Sequence, residues 1–135
     1  MGRTILAVLA GVVCAWVVIM ACEFAGARLH PPPAGLDLRD PGQLAAFIAA
    51  APAAAMALVL AGWTLGAFLG GWIAAKLSRR HRRGAALAVG AVVLAGVIAN
   101  AFLIPHPTWF TALGVLLPLP AAWLGSRMVR QRVVP

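Results

Sequence analysis

The side chains able to do chemistry in this 135-residue chain are few, and depth groups them more than sequence does. Glu23 lies about one helical turn inside the end of a long apolar run. Asn100 lies at a similar depth in another run. His30 and His106 sit just beyond them, in a His-Pro and a Pro-His-Pro turn. A carboxylate in hydrocarbon is costly and is a functional candidate by default. Four polar groups at one depth would line a shallow, outward-facing ligand pocket. The competing reading is structural: Glu23 reaches the lipid headgroups, or bonds Asn100 or Arg28 to fix a bundle. The residues alone leave both open.

Other chemistries find little support. The two histidines and Glu23 are far apart in sequence and lack an i, i+4 pairing, so no metal site is expected. No haem is expected either, since both histidines sit outside the apolar runs. There is no nucleophile elbow, Walker loop or acidic metal motif. Cys14 and Cys22 are eight residues apart, roughly 12 Å along a helix, too far to pair with each other. No C-x-x-C is present, which argues against thiol redox chemistry. Trp63 and Thr64, in the middle of an apolar run, read as packing residues. No cofactor and no catalytic residue is therefore expected.

The elements that must position these groups are membrane spans. The chain is 63% hydrophobic and only 10% charged. A soluble domain carries about 25% charged residues, so this one could not cover its surface in water. The predicted fold class is all-α, a single membrane domain forming a bundle of four transmembrane helices over about 4–26, 53–75, 84–104 and 108–126. The loop 27–52 holds three prolines in a row and then Asp40-Pro41, a cap and first-turn pair that predicts a short helix from about 41. Gln43 would complete its capping box. From Leu44 to Leu77 the pattern is too long for one crossing, so a break is expected at Pro52. Pro118 and Pro120 should bend the fourth span. Arg3, the first apolar run and Ala25-Gly26-Ala27 imitate a signal peptide, but the run from Ile5 to Cys22 exceeds the usual length of about 7–15 residues. It is expected to stay as a span.

Charge sets the expected orientation. With both termini inside, Arg3, Lys76, Arg79, Arg80, Arg82, Arg83, Arg127, Arg130 and Arg132 face the cytoplasm. Only Arg28 and Arg39 lie outside, together with all three acids, Glu23, Asp37 and Asp40. The net charge of +8 thus reads as a topology signal and a contact for anionic lipid rather than for nucleic acid. The loop Arg79, Arg80, Arg82 and Arg83 is its core.

Gly62, Gly66 and Gly70 form a G-x3-G-x3-G stripe in the second span, and Ala91, Ala95 and Ala99 repeat the spacing in the third. Small residues so spaced let helices approach closely in lipid, within one chain or between copies. A weak internal repeat is also visible: Glu23-Phe24 then His30-Pro31, against Asn100-Ala101-Phe102 then His106-Pro107.

The stretch His30-Pro31-Pro32-Pro33-Ala34-Gly35-Leu36-Asp37, continuing through Asp40-Pro41, resembles a family of small, uncharacterised four-span bacterial inner-membrane proteins. The Pro105-His106-Pro107 turn and the glycine-rich second span share in that resemblance. It implies a bacterial inner-membrane location and no activity. Small multidrug exporters are a poor match, because their glutamate lies in the middle of the first helix and Glu23 lies near its end. The leading expectation is a non-enzymatic bundle that assembles with itself or with a larger membrane complex. The alternative is a small transporter or ligand-binding protein using the Glu23 and Asn100 pocket.

Overall fold

The computed structural model describes residues 2–129, so Arg130 and Arg132 lie outside the described residues. Within them the chain is all helical: α1 (Gly2–Leu29), α2 (Pro41–Ala49), α3 (Ala53–Leu77), α4 (Arg82–Leu103), α5 (Thr108–Leu116) and α6 (Pro118–Arg127). Four helical segments are long and apolar enough to cross a membrane: α1, α3, α4, and α5 with α6 taken together. This architecture is compatible with a small multi-pass membrane helix bundle.

Prolines set the breaks. Pro52 separates α2 from α3, and its missing N–H suits the residue just before a helix. Pro118 opens α6 directly after Leu117, and the four-residue hydrogen-bond ladder continues on both sides, from Leu117 N to Leu113 O and from Ala121 N to Leu117 O. The last span is thus bent rather than cut. Asp40 caps α2 by accepting from Gly42 N at 2.8 Å and Gln43 N at 3.3 Å. Gln43 departs from the expected capping box. Its amide donates to Asp40 Oδ2 and its carbonyl accepts from Asp37 N, because Asp40 N is already bonded to Asp37 O. Gly35 takes the left-handed φ of +82° that the turn from Pro33 to Leu36 requires.

α3 is the central helix, lying against α1, α4, α5 and α6. Among the described helices, α1 touches α3 and α4. The α1–α3 seam is built on glycine. A Cβ at Gly66 would meet Ala15 O at 2.9 Å, and one at Gly70 would meet Gly11 O at 2.5 Å. A Cβ at Gly62 would meet Cys22 Cβ at 2.8 Å. On the far side of α3, Gly71 and Gly125 let α6 approach as closely, and Gly114 makes room for the Trp63 ring. Ala91, Ala95 and Ala99 instead lie on an exposed face of α4.

Candidate functional site

The bundle has two chemically distinct ends. At the arginine end, Arg3 donates to Leu77 O at 3.2 Å, and the Thr4 and buried Ser78 hydroxyls lie 3.4 Å apart. Ser78 Oγ also accepts from His81 N. Arg79, Arg80 and Arg83 are exposed around this knot, and Arg82 is half-buried. Lys76 lies over the Trp72 ring and Arg127 over the Trp123 ring, each at 4.8 Å. Both are i, i+4 pairs, the spacing that stacks one side chain on the next along a helix. Arg28 over Phe24 repeats the arrangement at the opposite end.

That opposite end holds the candidate site. Glu23, near the end of α1, His30, just past it, and His106, in the turn between α4 and α5, line one cavity of about 290 Å³. Its remaining walls are aliphatic or aromatic, including Phe47, Met56, Val59 and Phe110. Each histidine is held in the same way. His30 stacks on Phe47, ring centroids 4.4 Å apart, and its Nε2 donates to Phe47 O at 3.0 Å. His106 stacks on Phe110 at 4.7 Å, and its Nδ1 donates to Ile104 O at 2.8 Å. A carbonyl can only accept, so these bonds fix both tautomers and leave the second ring nitrogen of each as an acceptor. Burial holds the His106 imidazole below its ordinary range, partly offset by the bond to Ile104 O, which favours the protonated ring.

Among the described residues no direct hydrogen bond joins Glu23 to Asn100, and Arg28 lies over the Phe24 ring. The carboxyl finds a hydrogen-bond partner in the Trp63 side chain. Asn100 Oδ1 is buried with no hydrogen-bond partner among the described residues. Asn100 and Glu23 meet instead around a second cavity of about 330 Å³ between α1 and α4, backed by Trp63. Glu23 lines both cavities. The four polar residues are thus divided between two adjoining spaces, with Glu23 at the junction.

Sequence reasoning missed Trp63, which reads there as packing alone. It is 5% exposed and stands edge-on to Phe110 at 5.2 Å, so it joins Glu23 to the ring that supports His106. A buried indole N–H needs an acceptor, and Glu23 is the one acid within the four spans. That was the available signal. Phe47 and Phe110 carried no comparable mark. Among the described residues no cluster of three or more His, Cys, Asp or Glu side chains has the geometry to hold a metal ion.

No protein-family model, curated protein or solved structure matches this chain.

Proposed function

We propose that this protein is a non-enzymatic membrane helix bundle that binds, at its outer face, a ligand carrying a protonated amine. The observation that carries the reading is the convergence of Glu23, His30 and His106 on one apolar and aromatic cavity. These groups are acceptors: a carboxylate and two imidazoles whose N–H groups already serve backbone carbonyls. An ammonium group offers three donors and a positive charge. It satisfies the acceptors and neutralises the carboxylate. Among the described residues no hydroxyl or thiol nucleophile lines the cavity, which favours binding over catalysis.

The orientation follows from charge. Lys76, Arg79, Arg80, Arg82 and Arg83 lie at the end opposite the cavity, and basic loops stay in the cytoplasm. The cavity then opens outward, with both termini inside.

Titration of the detergent-solubilised protein with butylamine tests the reading. The wild type is expected to bind, and Glu23→Gln to lose at least about tenfold in affinity. A hydrogen bond to a charged group contributes about 1.5–3 kcal/mol, and tenfold corresponds to about 1.4 kcal/mol. Absence of binding, or equal binding by Glu23→Gln, contradicts it.

A second reading, assembly with another copy or a larger membrane complex, is favoured by the exposed Ala91, Ala95 and Ala99 face. The Gly62, Gly66 and Gly70 stripe offers it less, since α1 already lies against it. A monomer in cross-linking of native membranes would remove this reading.

A further inference from the structure

The second cavity has the form of an amphiphile. It runs between α1 and α4 along residues from Val12 to Glu23 and from Val92 to Asn100. Its floor is buried and apolar: Ala15, Trp63, Val93 and Val97. Its rim, Trp16, Met20, Val92 and Gly96, is exposed on the flank of the bundle. Lipid chains lie along that flank when the helices cross a bilayer. Among the described residues the groove's polar end holds Glu23, which bonds the Trp63 side chain, and Asn100, whose Oδ1 is buried without a hydrogen-bond partner. The Glu23 carboxyl and Asn100 Oδ1 are both acceptors. At that same end Glu23 passes from this groove into the cavity it shares with His30 and His106.

We infer that the ligand is a single-chain lipid amphiphile that enters sideways from the outer leaflet. Its hydrocarbon tail lies in the α1–α4 groove, and its primary ammonium head reaches Glu23, with Asn100 Oδ1 as a further acceptor. This rests on the ammonium-binding reading above and adds the chemical class of the ligand and its route. A tail explains why the groove is apolar along its length and open on its flank. A head with N–H donors explains why its polar end holds acceptors.

Gly96 supplies the test. A Cβ there meets nothing within 4 Å, so Gly96→Leu puts a side chain at the groove rim without disturbing the backbone. Leucine is also a better helix former than glycine, which protects the fold. Dodecylamine and butylamine are titrated into wild type and Gly96→Leu in the same detergent, so that partitioning of the amine into micelles cancels between the proteins. The expected result is that Gly96→Leu weakens dodecylamine at least about tenfold, the effect of about two methylenes losing their burial. Butylamine, which lacks the tail, is expected to bind both proteins alike. If butylamine binds and depends on Glu23 while Gly96→Leu leaves dodecylamine unchanged, the groove inference is overturned and the head-group site stands. If neither amine binds the wild type, the head-group site itself is wrong and the groove inference falls with it.

Discussion

Trp63 does two things at once, and the site depends on both. Its ring fills the space left by Gly114 and packs on Phe110, while its indole faces the Glu23 carboxyl. The carboxyl group is thereby held at the junction of two cavities. His106 adds a pH dependence with a definite sign. Its pKa in the fold lies below the ordinary imidazole value of about 6.5. Between the two values the unfolded chain binds the proton and the folded protein does not. Stability from the neutral ring is therefore complete above about pH 6.5 and declines as the pH falls through that window. The same protonation places a positive charge beside a bound ammonium, in a cavity shared with Glu23 and His30. Amine affinity, measured by titration from pH 7 to pH 5, is expected to fall, and His106→Gln is expected to flatten part of that fall. Identical pH profiles for the two proteins would show that His106 does not face the ligand.

Among the elements, the α1–α3 seam is the most exacting. Gly66 lies against Ala15 O and the Ile19 side chain, so any larger residue there must separate two backbones. Gly66→Leu is expected to destabilise the bundle by about 1–3 kcal/mol, the usual effect of overpacking. Thermal unfolding in detergent reads this, and an unchanged midpoint would remove the seam from the account. The spacing of Gly62, Gly66 and Gly70 is visible in the sequence, because close helix approach leaves a four-residue signature. The helix that fills it is not, since Gly11 and Ala15 are ordinary small residues in an apolar run. Caps and breaks at Asp40, Pro52 and Pro118 are likewise local and legible. The site is less so. Glu23, Asn100, His30 and His106 stand out by type, but their division between two cavities depends on how α1 packs against α3 and α4. No short stretch of sequence encodes that packing.

At the scale of the whole molecule, charge and hydropathy point the same way. Four apolar helical segments gather Arg3, Lys76 and the arginines from Arg79 to Arg83 at one end, and Glu23, His30 and His106 at the other. That polarity makes the proposed function depend on sidedness: an amphiphile of the outer leaflet can reach Glu23 only if the histidine end faces out. Reporter fusions read sidedness directly. A fusion after Arg39 is expected to be external, and fusions after Arg82 and at the C-terminus cytoplasmic, as the positive-inside rule requires. A cytoplasmic reporter after Arg39 with an external one after Arg82 would turn the cavity inward and contradict the account.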